Sequence, residues 1–358
     1  MKAASSRHSK ILSRLPLGAR VLIIRLRSLG DVVLLTPALA ALHRSRPDLR
    51  VTVAVEPGFA PLLEGNPAVE NVLPARSFGE TVAAIRHGRY NVVYNQHGGP
   101  RSVFYTALSG APMRIGWESS QYSFLYNVRV PGPEAFYGTR KVHTVEHRLT
   151  QFYWTGVERG PIPRTQVFPQ PDAMASVSRK LAERGGDVRA PFALLHPGAT
   201  AFTKRWPLAS FAEVGSWLAQ AHGVVPIVRL GPGDASMAEE ARRLFPRPGI
   251  VLNSDSLDLR ELIALTSRAA IFIGNDSGPA HIAAAVGRPV VVIFGSSDSN
   301  IWRPWQGVHR VVQNDFPCNP CKGDRCYAFP EPRCILSVTA EAVKESCASL
   351  LLTVPRIA

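Results

Sequence analysis

The stretch Val21-Leu22-Ile23-Ile24-Arg25-Leu26-Arg27-Ser28-Leu29-Gly30-Asp31 decides the fold. Its first six residues, nearly all branched and apolar, read as a strand of a parallel sheet. Gly30 permits a tight turn, and Asp31 falls where the strand gives way to a helix. In open α/β sheets that end of the strand faces the ligand crevice. The helix start there offers an anion unpaired N–H groups and the positive end of a dipole. The arrangement recurs at Ile271-Phe272-Ile273, followed by Asn275-Asp276-Ser277-Gly278-Pro279-Ala280-His281. Two such sites predict an α/β protein with two nucleotide-fold domains, their parallel sheets facing one central cleft.

Outward from these points, apolar runs alternate with helical patterns in βα rhythm. The first half predicts strands at 21–26, 51–55, 70–73 and 90–94, with helices after Asp31, Gly58 and Gly79 and from Arg101. The second predicts strands at Phe192–His196, 224–230, 250–252, 270–273 and 289–294, a helix over 207–222, and a last helix over 339–352 capped by Thr339. Pro161, Pro163, Pro169 and Pro171 mark an extended linker, giving domains at 21–165 and 172–358. Residues 1–20 are basic and read as a disordered leader. They lack the apolar core of a secretory signal, so the expected location is cytoplasmic. The chain has 358 residues, 46% of them hydrophobic, enough for two cores. No apolar run approaches the roughly 20 residues of a membrane-spanning helix.

The charge is +14, from 41 Lys and Arg against 27 Asp and Glu. Such a balance suits a nucleic acid, an anionic membrane or a phosphorylated substrate, and equally a plain excess of arginine. Asp31 reads either as a general base for a substrate hydroxyl or as a helix cap. In the second half, His196-Pro197-Gly198-Ala199-Thr200 ends a strand, and Thr203-Lys204-Arg205-Trp206-Pro207 leads into a helix. Thr200, Lys204 and Arg205, with nearby backbone amides, read as a diphosphate cradle. Ser277 and Gly278 repeat that pattern at Asp276, with His281 on the first turn. No Gly-x-x-x-x-Gly-Lys-Ser/Thr motif occurs, and Gly231-Pro232-Gly233-Asp234 lacks the third glycine of a dinucleotide turn.

In order along the chain, residues 23–31, Leu-Ser-Gly-Ala-Pro-Met-Arg-Ile-Gly at 108–116, 196–200, Lys-Arg-Trp-Pro at 204–207, 275–281 and Phe294-Gly295 resemble the glycosyltransferase family 9 heptosyltransferases. The resemblance covers nearly the whole chain. It implies a GT-B fold, two Rossmann-like domains, the first binding the acceptor and the second the donor. It also implies inverting, metal-independent transfer of heptose from ADP-heptose to the inner core of lipopolysaccharide. No cofactor is then required and no nucleic acid is a partner. The acceptor would be an acidic lipid-linked glycan met at the inner-membrane surface, where basic patches hold the protein peripherally. Asp31 would be the general base, and Lys204 would neutralise the leaving diphosphate. Thr200, Thr203, Lys204, Asp276, Ser277, Gly278 and His281 match donor-binding positions. His97, Arg101, Arg114, Lys141 and His143, and also Arg148, suit the acceptor's anionic groups. Whether Asp234 or Glu239 touches the nucleoside stays open.

Cys318, Cys321, Cys326 and Cys334 lie in a Pro-rich loop at 316–336, with Cys347 in the last helix. A structural zinc or iron–sulfur site, disulfides, and free thiols are the three readings. The function readings that compete with heptosyl transfer are another nucleotide-sugar glycosyltransferase, a nucleotide-sugar epimerase, and a basic nucleic-acid or membrane-binding protein.

Overall fold

The computed structural model describes residues 10–187, 189–246, 248–253 and 255–352. The chain forms two compact units, 1–167 and 168–358, divided within the Pro-rich stretch.

The first unit contains β1 (Arg20–Ile24), β2 (Arg50–Val55), β3 (Asn71–Pro74), β4 (Val92–Asn95), β5 (Met113–Trp117) and β6 (Val128–Val130), in the spatial order β3-β2-β1-β4-β5-β6. Every pairing is parallel. The second unit contains β7 (Phe192–His196), β8 (Val225–Arg229), β9 (Ile250–Leu252), β10 (Ile271–Asn275), β11 (Val290–Ile293) and β12 (His309–Val312), in the order β12-β11-β10-β7-β8-β9. These pairings are parallel too. Counted from each unit's own first strand, both sheets have the order 3-2-1-4-5-6 of a Rossmann fold, whose ligand crevice opens between strands 1 and 4. Those pairs are β1 with β4 and β7 with β10.

The inner strands are apolar because helices cover both faces of each sheet. Val21, Leu22, Ile23 and Ile24 are fully buried, as are Ile271, Phe272 and Ile273. In the second unit Trp206 anchors the core, its ring 4.9 Å from Phe211 and its Nε1 donating to the Val338 carbonyl at 2.8 Å. Truncating so buried a ring typically costs about 3–5 kcal/mol. The last helix, Ala340–Leu351, starts where expected, with Thr339 accepting from the Ala342 amide at 3.3 Å.

Two expectations change. The leader was drawn to residue 20, of which 1–9 lie outside the described residues. Residues Ile11–Arg14 form a helical turn that buries Ile11 and Leu12, and Arg46 donates to the Leu12 carbonyl. Apolar contact and that guanidinium bring the segment into the fold. Strands β5, β6 and β12 were not foreseen; Met-Arg-Ile-Gly-Trp, Val-Arg-Val and His-Arg-Val-Val are short and carry an internal charge.

Candidate active site

At the crevice end of β1 the chain enters the short helix Leu29–Val33, whose cap is Ser28 and not Asp31. The Ser28 hydroxyl donates to Asp31 Oδ2 at 3.0 Å. The other oxygen, Oδ1, accepts from Arg148 Nη2 at 2.9 Å and forms an ion pair with Arg25 Nη2. Both guanidiniums also donate through Nη1 to the Gln96 carbonyl, at 2.7 Å from Arg25 and 2.9 Å from Arg148. Gln96 follows β4, so the topology itself brings the four groups together. Arg148 projects from the helix Thr144–Thr155, and its guanidinium also covers the Trp117 ring.

Arg25 and Arg148 are 5% and 7% exposed, so two buried cations face one carboxylate. Burial alone would raise the Asp31 carboxyl; Arg25, Arg148 and the Ser28 hydroxyl outweigh it and hold the group below the usual carboxylate range. Burial, with Arg148 nearby, pushes Arg25 down to about 9 in spite of Asp31. Burial likewise lowers Arg148, against the pull of Asp31. The Nε atoms of both arginines lack a hydrogen-bond partner among the described residues. His97 stands in the same field: burial, then Arg25 and Arg27, push it to about 4, so its imidazole is neutral at pH 7. Its Nδ1 is buried without a hydrogen-bond partner among the described residues.

In the second unit, the loop after β7 carries a 3-10 turn, Phe202–Lys204. Lys204 Nζ pairs with Asp276 Oδ2 at 2.8 Å. Asp276 follows β10 and is 8% exposed, with its amide donating to the Ile293 carbonyl at 2.9 Å. Ser277 caps the helix Gly278–Ala285, and its Oγ has no hydrogen-bond partner among the described residues. Gly278 opens that helix, and His281 is buried in its first turn. Asn275, not singled out from the sequence as a site residue, ties the two loops together. Its Nδ2 donates to the Pro197 carbonyl at 2.7 Å and its Oδ1 accepts from the Trp206 amide at 3.1 Å. Thr200 lies exposed on the same loop.

Asp234 is held by contacts within the fold. Its Oδ2 accepts from the Gly231 amide at 2.8 Å and its Oδ1 lies 3.6 Å from Arg205 Nη2. A Cβ at residue 198 would stand 1.9 Å from that Oδ2, so the close approach requires glycine. Glu239 is exposed. His196 donates from Nδ1 to the Arg229 carbonyl at 2.8 Å, and burial pushes it to about 4, though that bond opposes the shift.

Several expected contact residues are engaged elsewhere. The Thr203 hydroxyl donates to the Gly323 carbonyl and lies 3.1 Å from Ser296 Oγ; at 1% exposed it braces the Cys-rich loop. His143 caps the helix Thr144–Thr155, its Nδ1 accepting from the Val145 amide at 3.1 Å. Arg114 Nη1 donates to the Ala111 carbonyl at 2.9 Å, and Arg101 pairs with Glu56 at 3.2 Å. Lys141 is exposed in the loop before that helix. Of the acceptor candidates, His97 and Arg148 alone gather at Asp31.

The four loop cysteines line a cavity of about 100 Å³ with Thr203 and Ser296. All five cysteines are free thiols. Among the described residues, no group of three or more His, Cys, Asp or Glu side chains is placed to hold a metal ion. The zinc or iron–sulfur reading therefore gains no support from the placement of the described residues.

Two six-stranded parallel sheets of Rossmann order give the chain the GT-B fold. A solved glycosyl transferase family 9 structure from Veillonella parvula shares the fold with a TM-score of 0.83, at 21% identity, over 95% of this chain and 99% of that one. The ADP-heptose lps heptosyltransferase II of Escherichia coli does so with a TM-score of 0.79, at 22% identity, over 93% and 99%. In sequence, lipopolysaccharide heptosyltransferase 3 of Escherichia coli is 26% identical over 296 residues, 77% of this chain and 83% of that protein. The family described as Glycosyltransferase family 9 (heptosyltransferase) matches residues 79–330, and the chain belongs to it.

Proposed function

We propose that the protein transfers heptose from ADP-heptose to the inner core of lipopolysaccharide on the cytoplasmic side of the inner membrane. The observation that carries the reading is Asp31: an ionised carboxylate at the crevice end of β1, with Oδ1 gripped by two arginines. Among the described residues its Oδ2 carries only a hydroxyl and a long backbone contact from Ser28, which makes it the oxygen that takes a proton.

The acceptor hydroxyl attacks the anomeric carbon opposite the departing ADP. The new C–O bond forms as the C–O bond to the diphosphate breaks, and the hydroxyl proton passes to Asp31 Oδ2. Configuration inverts. The leaving group gathers negative charge, which Lys204 and the amides of Ser277 and Gly278 meet; preorganised donors of this kind contribute most as charge develops. The diphosphate competes with Asp276 for Lys204. Thr200 and His281 complete the donor site. Charge supplied by side chains and amides lets the displacement proceed without a divalent metal. On the acceptor side, the excess buried charge of Arg25 and Arg148 attracts an anionic group. Such a group loosens their hold on Oδ1 and makes Asp31 a stronger base when substrate is bound. His97, neutral, offers the acceptor a ring nitrogen.

The test is turnover of ADP-heptose on heptose-deficient lipopolysaccharide, read by product mass, with wild type beside Asp31→Asn and Lys204→Ala. Each variant loses on the order of 100-fold or more in kcat. Product of retained anomeric configuration, or wild-type turnover abolished by EDTA, refutes the inverting, metal-independent course. A wild type that does not bind ADP refutes the donor assignment.

A further inference from the structure

The first unit carries an exposed apolar cluster that the active site does not use. On the helix Pro100–Leu108, Arg101, Phe104 and Leu108 follow at spacings of three and four, sharing one face while Val103, Tyr105 and Thr106 are buried. Phe104 is 42% exposed and Leu108 41%. The neighbouring 3-10 turn Ser123–Leu125 presents Phe124 at 69%, with Tyr122 just before it at 38%. The Phe104 and Tyr122 rings are 5.8 Å apart and those of Tyr122 and Phe124 6.3 Å. Tyr122 holds this position with φ of +61°, a left-handed conformation seldom adopted by L side chains.

The charge around the cluster is mostly basic, although Arg101 pairs with Glu56. Arg101 adjoins it on the helix, and the Arg114 Nε lies 3.4 Å from the Leu125 carbonyl, next to Phe124. Arg129 is exposed on the edge strand β6, and Glu118 is the lone acid between residues 100 and 132. Residues 1–167 hold 21 Lys and Arg against 10 Asp and Glu, whereas 168–358 hold 20 against 17. The unit that bears the rings therefore carries 11 of the 14 net positive charges of the protein. Aromatic side chains settle at the headgroup level of a bilayer, and nearby arginines pair with anionic headgroups.

We propose that Phe104, Leu108, Tyr122 and Phe124 form the face by which this protein docks on an anionic lipid bilayer. The rings enter the interface and the arginines engage lipid phosphates. The purpose of such docking rests on the lipid-linked acceptor proposed above, but its test requires no sugar transfer and so fails or succeeds separately.

The full-length protein is sedimented with vesicles of phosphatidylcholine alone and of phosphatidylcholine with phosphatidylglycerol. Binding is expected only with phosphatidylglycerol, weakening as salt rises. The double variant Phe104→Ser/Phe124→Ser should bind on the order of tenfold more weakly, with its thermal midpoint and ADP binding unchanged because both rings lie at the surface. In a separate Phe124→Trp variant, indole emission should shift to the blue on the anionic vesicles. Undiminished binding by the double variant overturns the proposal, as does unshifted emission from vesicle-bound Phe124→Trp. So does a wild-type dimer without lipid that the double variant turns into monomer, since a second copy then covers the face.

Discussion

Asp31 has two oxygens in unlike surroundings, and that asymmetry is its chemistry. Removing one cation from Oδ1 lets burial weigh more heavily, so Arg148→Met should raise the carboxyl. Wild-type kcat/KM then stays level as pH falls toward the ordinary carboxylate range. The variant, protonated at a higher pH, gains an acid limb there; superimposable profiles would sink the assignment. Gly198→Ala tests a second contact, because its Cβ would stand 1.9 Å from Asp234 Oδ2. We expect a loss of roughly 1–3 kcal/mol in urea unfolding together with weaker ADP binding by calorimetry. At this scale legibility followed sequence distance. Asp31 stood out because it follows a nearly all-apolar strand, and Lys204 because it precedes a helix-starting Trp-Pro. Arg148 is 117 residues from the carboxylate it holds, and no spacing could join them. Arg25 read simply as part of its strand. His143 and Thr203 carried the right chemistry for substrate contacts, yet local hydrogen bonds claimed their polar atoms.

Strand ends and the loops beyond them form the next level. Asn275, fully buried at the end of β10, satisfies the Pro197 carbonyl and the Trp206 amide at once. Asn275→Ala leaves both unpaired in a dry place, and should cost about 2–4 kcal/mol in chemical denaturation. ADP affinity should fall with it, because the two loops it joins carry Lys204 and Asp276. Retained affinity at reduced stability would limit Asn275 to the fold alone. The long buried strands of both sheets could be read from composition, since helices on both faces demand continuous apolar runs. Edge strands β6 and β12 could not, because a half-exposed strand of three or four residues with an arginine inside has no distinguishing period. The short helix Leu29–Val33 was placed by its acid, while the true cap, Ser28, went unnoticed three residues earlier.

For the molecule as a whole, buried neutral histidines make stability depend on pH. His196 titrates near 4 in the fold and near 6.5 in an unfolded chain. Between those values the unfolded chain binds the extra proton, so stability falls as pH drops from about 6.5 and levels below about 4. For His196 alone, about 2 kcal/mol present at pH 7 is gone by pH 5. His97 and His147, also pushed to about 4 chiefly by burial, act in the same direction. Urea midpoints of wild type and His196→Asn at the two pH values check this: the difference between them should narrow in the variant. The strand order has one more consequence. Each sheet draws all six strands from one uninterrupted half of the sequence. A ribosome therefore completes every rung of the first ladder before the second begins to emerge. A polypeptide severed between 167 and 168 would still contain two whole sets of pairing partners. The halves are natural units of exchange: on the function proposed above, a gene could replace the piece bearing Asp31 and keep the piece bearing Lys204, changing what receives the sugar without relearning how to hold the nucleotide.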